Sequence, residues 1–181
     1  MKESKESKGL VLVYTGNGKG KTTAALGTAL RCLGYGCKVC MVQFIKGDWH
    51  YGELDAVKRL APDFEIHRMG KGFYHIMGDK LPEKEHREAA EQALAFAREK
   101  MFSGAYRLII LDEILVSVQV NLIPEKQLLD FIQDKPDTMD LILTGRGAGE
   151  AVIQVADLVT EMKEIKHPYQ KGIPGKKGID F

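Results

Sequence analysis

The apolar positions of this 181-residue chain change period repeatedly along its length. A short β-branched run, Leu10 to Tyr14, predicts a strand over 10–15. A helix-forming run from Ala24 to Leu33 follows, and the predicted helix over 22–34 ends at Gly34 and Gly36. The nearly continuous apolar stretch Lys38-Val-Cys-Met-Val-Gln-Phe-Ile45 predicts a second strand. Gly52 to Leu60 reads as a helix and Phe64 to Arg68 as a short strand. Residues 69–81 read as a loop carrying aromatic rings. Beyond it, Ala90, Ala93, Leu94, Ala97 and Met101 recur at helical spacing and predict a helix over 82–102, with Pro82 near its first position. Tyr106 to Asp112 is another unbroken apolar run, the pattern of a strand buried on both faces. A helix over 124–134, a strand over 139–144, a helix near 148–156 and a strand near 157–163 complete the series. Strands alternating with helices predict an α/β fold, a mostly parallel sheet covered on both faces. Residues 1–8, polar and built on a Lys-Glu-Ser repeat, read as a flexible arm ahead of a single domain over 9–181.

The chemistry lies at the first strand-to-helix junction. Gly16, Gly18 and Gly20 precede Lys21-Thr22 at the mouth of the first helix. Strand, glycine-rich loop and helix N-terminus in that order form a phosphate cradle. Lys21 is a point charge for phosphate, Lys19 adds a second cation, and the Thr22 hydroxyl is placed for Mg²⁺. The general pattern G-x-x-x-x-G-K-[ST] asks for glycine at position 15, where this chain has Thr15. The fold class is therefore a P-loop NTPase of the RecA-like kind.

Asp112-Glu113 closes the buried run 108–111, so both acids fall at the carboxyl edge of a parallel sheet, where ligands bind. Acids there hold Mg²⁺ directly or through water, or activate a water in an ATPase. Thr144-Gly145-Arg146 ends the next strand on the same edge, and an arginine there suits a phosphate fork. Lys46 is a weaker candidate for the same task. The histidines show no ligand spacing; His67 is expected to pack and His86 to be a solvated helix residue.

Charge is balanced, with 26 basic and 25 acidic residues, which argues against a nucleic-acid partner. No apolar run approaches the roughly 20 residues of a membrane span. The three cysteines, Cys32, Cys37 and Cys40, read as reduced thiols of a cytoplasmic protein. Cys37-x-x-Cys40 sits at a strand start, where the two side chains point to opposite faces, so it reads as packing and not as a metal site.

From about Gly9 to Phe181 the chain resembles the P-loop ATP:corrinoid adenosyltransferases. Gly16-Asn17-Gly18-Lys19-Gly20-Lys21-Thr22-Thr23 is similar to that family's own phosphate-loop variant, which accounts for Thr15. Gln43-Phe-Ile-Lys-Gly47, Gly52-Glu53, Asp112-Glu113, Thr144-Gly145-Arg146, Ala156-Asp-Leu-Val-Thr-Glu-Met162, Lys166-His-Pro168 and Gly178-Ile-Asp-Phe181 match in order. The resemblance implies transfer of the 5′-deoxyadenosyl group of ATP to the cobalt(I) of a corrinoid, with triphosphate leaving, in adenosylcobalamin biosynthesis or salvage. It implies nucleotide binding by residues 16–23, catalytic roles for Lys21, Glu113 and Arg146, and Mg²⁺ on Thr22, Asp112 and Glu113. It also implies a homodimer served by an electron-donating reductase. The family's aromatic loop reads Gly-x-Gly-Phe-Thr-Trp; here it reads Gly70-Lys-Gly-Phe-Tyr-His75. Phe73 and His75 thus stand where the corrinoid contacts are expected, with His75 in place of tryptophan. Two other readings stay open: another P-loop enzyme, such as a nucleoside kinase or ATPase, and a nucleotide-gated corrinoid-binding protein without turnover.

Overall fold

A computed structural model describes residues 8–47, 50–72, 74 and 81–181. Six strands run in chain order: β1 (Val11–Thr15), β2 (Val39–Gln43), β3 (Phe64–Arg68), β4 (Leu108–Asp112), β5 (Asp140–Thr144) and β6 (Leu158–Glu161). They form one sheet in the order β3-β2-β4-β5-β1-β6. Every pairing is parallel. The helices are α1 (Lys21–Leu33), α2 (Gly52–Lys58), α3 (Glu83–Phe102), α4 (Ile114–Gln119), α5 (Glu125–Gln133) and α6 (Glu150–Val155), and a 3₁₀ turn covers Pro168–Lys171. The expected strand and helix alternation is thus present, with boundaries shifted by at most two residues.

The unbroken apolar character of β4 follows from burial on both faces. Ile109 and Leu111 pack with α3 and α5 residues such as Ala93, Ala97, Leu128 and Phe131. Leu108 and Ile110 point the other way, to Ala25 and Ala29 of α1. Two apolar layers, one per face, are what a parallel sheet requires, because its crossover helices cover both sides. Among the described residues no helix is long and apolar enough to cross a membrane.

Two expectations need correction. The run Ile114-Leu-Val-Ser-Val118 carries no helix in the sequence reading and is rich in β-branched residues, yet it forms α4. The chain turns sharply at Glu113, whose φ is 64°, and burying Ile114 and Leu115 outweighs local propensity. His86, expected in solvent, is only 3% exposed and meets the Tyr74 ring edge-on at 5.2 Å. Pro82 is the N-cap of α3 and stands just ahead of its first turn.

A polar cluster ties the β3 edge to the rest. Register pairing sets Cys40 opposite Glu65, and His67 lies two residues on, on the same face. Glu65 accepts from Tyr106 Oη (2.5 Å) and Lys100 Nζ (2.9 Å) and pairs with His67 Nε2 (2.8 Å). The His67 ring also packs edge-on against Phe96 at 4.6 Å. Cys40, Glu65 and His67 have ligand atoms within 4.8 Å of one another, a grouping that sequence spacing did not reveal. The Lys100 ammonium already supplies the positive charge there, so the cluster acts as a pin between β3 and α3. Burial pushes the Cys40 thiol up to about 12, and Cys32 likewise, which keeps both protonated. The three cysteines are free.

Burial alone would raise the Glu65 carboxyl; hydrogen bonds from Tyr106, His67 and Lys100 outweigh it and hold the group at about 2, below its ordinary 4.5. A depressed carboxyl stabilises the fold above its unfolded value and loses that contribution as pH falls through the folded one. Glu65→Gln is therefore expected to lower the thermal midpoint at neutral pH, with the gap to wild type closing as pH falls from 4.5 toward 2. A gap independent of pH would rule out this account.

Candidate nucleotide and corrinoid site

The carboxyl edge of the sheet holds a cavity of about 660 Å³. Its walls come from the phosphate loop and α1 (Lys19 to Thr23, Leu26), the end of β2 (Ile45, Lys46) and α2 with its cap (Tyr51, Gly52, Glu53). Glu113, Val116, Arg146 and residues 178–181 close it. Lys19, Lys21, Thr22, Glu113 and Arg146, singled out in the sequence, thus converge on one space.

The phosphate loop is built against the end of β6. Gly16 has φ 96°, and a Cβ there would stand 2.5 Å from the Met162 carbonyl oxygen. The glycine demand therefore falls at position 16, and Thr15 keeps strand geometry, with its hydroxyl accepting from Ala148 N (3.3 Å). Gly18 N donates to Met162 O at 2.6 Å and ties the loop down. Lys21 Nζ folds back into its own loop, donating to Gly16 O and Gly18 O at 2.8 Å each. Burial lowers its pKa, partly opposed by the Glu113 charge. Two carbonyls hold the lysine where a phosphate oxygen would take their place. Lys19 turns the other way and pairs with Asp180 (3.1 Å). Asn17 is exposed on the loop, and Thr23 lines the cavity.

Asp112 is fully buried, yet it receives four donors from three segments. Its Oδ1 accepts from Thr22 Oγ1 (2.8 Å) and Thr144 Oγ1 (2.7 Å). Its Oδ2 accepts from Gln43 Nε2 (3.2 Å) and pairs with Lys46 Nζ (3.3 Å). Lys46 also reaches Glu53 (2.9 Å) and lies over the Tyr51 ring at 4.6 Å. Burial opposes the Lys46 charge, but Asp112 and Glu53 together outweigh it and raise its pKa. Lys46, considered for phosphate, is committed here to carboxylates.

Thr22 spends its proton on Asp112, which leaves its oxygen lone pairs for a cation. Glu113 faces the same space. Its N–H donates to Thr144 Oγ1 (2.9 Å), which fixes its left-handed backbone. Burial first, then the Asp112 charge, pushes its carboxyl up to about 7, with Lys21, Lys46 and Arg146 pulling back. A hydroxyl and a carboxylate beside a phosphate loop are hard oxygen donors that fit Mg²⁺. With both its oxygens engaged, Asp112 fits a role behind Thr22. Arg146 is exposed at the rim.

Phe73 and His75 lie outside the described residues. The root of their loop is fixed: Met69 N and Gly70 N both donate to Gln43 O (3.0 and 3.2 Å). A Cβ on Gly70 would stand 2.2 Å from Phe44 O, so only glycine permits that approach.

The sequence reading gave no role to Gln43, Thr144 or Tyr51, nor to the tail residues 179–181 individually. A signal for Gln43 existed: it is the one uncharged polar side chain in an otherwise apolar strand run. Nothing local announces that the tail returns to the cavity.

A phosphate loop at the head of a parallel α/β sheet, with acids at the adjacent strand end, makes this a P-loop nucleotide-binding protein. Residues 7–181 match the family ATP:corrinoid adenosyltransferase BtuR/CobO/CobP, and the chain belongs to that family. It is 32% identical over 179 residues to a corrinoid adenosyltransferase of Escherichia coli K12, covering 99% of this chain and 89% of that one. A corrinoid adenosyltransferase of Pseudomonas aeruginosa is 35% identical over 179 residues, covering 99% and 87%. One from Sinorhizobium sp. is 36% identical over 178 residues, covering 97% and 82%. Among solved structures, a KaiC-like protein of Pyrococcus horikoshii aligns with a TM-score of 0.48 at 15% identity, covering 85% of this chain and 73% of that one.

Thr144 joins Asp112 to the Glu113 backbone. Thr144→Val removes a donor to a buried carboxylate, and is expected to cost about 1–3 kcal/mol in urea unfolding. Stability within error of wild type would show that Asp112 does not depend on this donor.

Proposed function

We propose that this cavity binds ATP and a reduced corrinoid and transfers the 5′-deoxyadenosyl group from the one to the cobalt(I) of the other. The observation that carries this reading is the family match over residues 7–181, which runs through every segment that lines the cavity.

The reaction forms a cobalt–carbon bond at the ribose 5′-carbon. It breaks the bond from that carbon to the triphosphate oxygen, and the electron pair leaves with triphosphate. Cobalt(I) is itself the nucleophile, so no side-chain nucleophile is required. The protein's tasks are to hold the triphosphate, offset its charge as the bond breaks, and align the two partners. Lys21 takes up the triphosphate by exchanging the Gly16 and Gly18 carbonyls for phosphate oxygens. The loop amides of residues 16–23 surround the same group. Arg146 at the rim binds a further phosphate. Thr22 and Glu113 would hold Mg²⁺, with Asp112 orienting Thr22; the ion would supply charge neutralisation on the triphosphate. The loop from Gly70 onward, with Phe73 and His75, meets the corrinoid.

The protein works as a cytoplasmic homodimer, with a separate reductase delivering the electron to cobalt. Two observations support this setting. The cysteines are unpaired, as in a reducing compartment. The sheet ends at β6, where Leu158 and Val159 are 41% and 39% exposed, an edge suited to cover by another chain.

Mixing the protein with ATP, Mg²⁺ and chemically reduced corrinoid is expected to give the cobalt–carbon product and inorganic triphosphate in equal amounts. ADP with a phosphorylated product would instead indicate a kinase. Tight corrinoid binding without turnover would indicate a binding protein. Lys21→Ala should lose at least tenfold in kcat/KM, about 1.4 kcal/mol; an unchanged value at saturating Mg²⁺ would overturn the phosphate-loop assignment. Glu113→Gln should raise the Mg²⁺ concentration needed for half-maximal rate. If the corrinoid-free wild type instead releases inorganic phosphate and this variant does not, Glu113 activates water.

A further inference from the structure

We infer that residues 176–181 form the adenine-side wall of the nucleotide cavity, with Phe181 as the platform for the base and the Lys19–Asp180 ion pair as its latch. This rests on the reading of the cavity as an ATP site.

The cavity lining combines cations, Lys19, Lys21 and Arg146, with apolar side chains, Leu26, Ile45, Val116 and Phe181. A nucleotide carries the matching groups, an anionic triphosphate and a flat aromatic base. Among the described residues two aromatic rings line the cavity, Tyr51 and Phe181. Tyr51 is 8% exposed and Lys46 Nζ occupies its ring face. Phe181 is half-buried. Base–aromatic stacking is strong and tolerant of geometry, so a ring at the cavity wall is a suitable adenine contact.

The tail is built to hold that ring in place. Asp180 N and Ile179 N donate to Lys176 O (2.8 and 3.1 Å), and Gly178 N donates to Phe181 O (2.8 Å). Asp180 Oδ2 accepts from Lys176 N (2.8 Å), which closes the turn on itself. The Phe181 ring lies beside Gly175, 3.2 Å from where a Cβ would stand. The turn meets the body at two sides of the cavity. Asp180 Oδ1 pairs with Lys19 of the phosphate loop at 3.1 Å, and the Phe181 backbone comes within 4.0 Å of a Cβ position on Gly52. Lys19 therefore places the tail, and Lys21 is left for the phosphates. Asp180 is a positioning residue and Phe181 a binding residue.

The test compares ATP with inorganic triphosphate, which shares the anion and lacks the base. Dissociation constants are measured by calorimetry with Mg²⁺ and without corrinoid, with thermal unfolding to confirm that each variant is folded. Phe181→Ala is expected to weaken ATP about tenfold and leave triphosphate unchanged, and Phe181→Trp to retain ATP. Asp180→Asn should weaken ATP severalfold while binding triphosphate as well as wild type or better, because Lys19 is released. The inference is overturned if Phe181→Ala binds ATP like wild type, or if it loses ATP and triphosphate in equal proportion. Wild type that binds neither ligand would overturn the nucleotide-site reading, and this inference with it.

Discussion

The site depends on one buried carboxylate. Asp112 sits at the end of the central strand β4, fully excluded from solvent. An unpaired charge in that position would cost several kcal/mol. The chain meets that cost by drawing in Gln43, Lys46, Thr22 and Thr144, from the ends of β2 and β5 and the start of α1. Each donor is carried by an element that also lines the cavity or abuts it. Satisfying the charge and assembling the site are thus the same event. This couples the helix that bears Lys21 to the strand that ends at Asp112, and the Thr144 hydroxyl sets the backbone of the next residue, Glu113, as well.

The ligand-free geometry is one of internal substitution. Lys21 is held by carbonyls of its own loop, Lys46 by Asp112 and Glu53, and Lys19 by Asp180. Each of these three lysines has a protein partner. The partners differ in strength. Neutral carbonyls give way to a polyanion more readily than a carboxylate that is buried and matched. On that ground the proposed function assigns phosphate to Lys21 and leaves Lys46 with the acids it pairs with. Glu113, with its pKa pushed to about 7 by burial beside Asp112, is the acid that a bound cation would ionise most.

Local sequence determined the elements that stand at the phosphate end. The period change from Leu10 to Leu33, the glycines at 16, 18 and 20, and the apolar run before Asp112 carry the strand, loop, helix and acid in one dimension. Each follows from short-range physics: backbone sterics, helix-terminus charge and burial of a continuous apolar run. The family was legible too, because its motifs are spread along the chain in order.

Tertiary structure decided what depends on distant neighbours. The run after Glu113 favours a strand by local propensity, but burial of Ile114 and Leu115 makes it helical. His86 has the surroundings of an exposed helix residue and is covered by Tyr74. Gln43 and Thr144 join the site by hydrogen bonding a carboxylate 69 and 32 residues away. Lys19, read as a phosphate ligand, is turned to Asp180 near the other end of the chain. Sequence pattern records which residues are apolar and how the backbone can bend. Which partner satisfies a charge depends on distances that exist only once the sheet has formed.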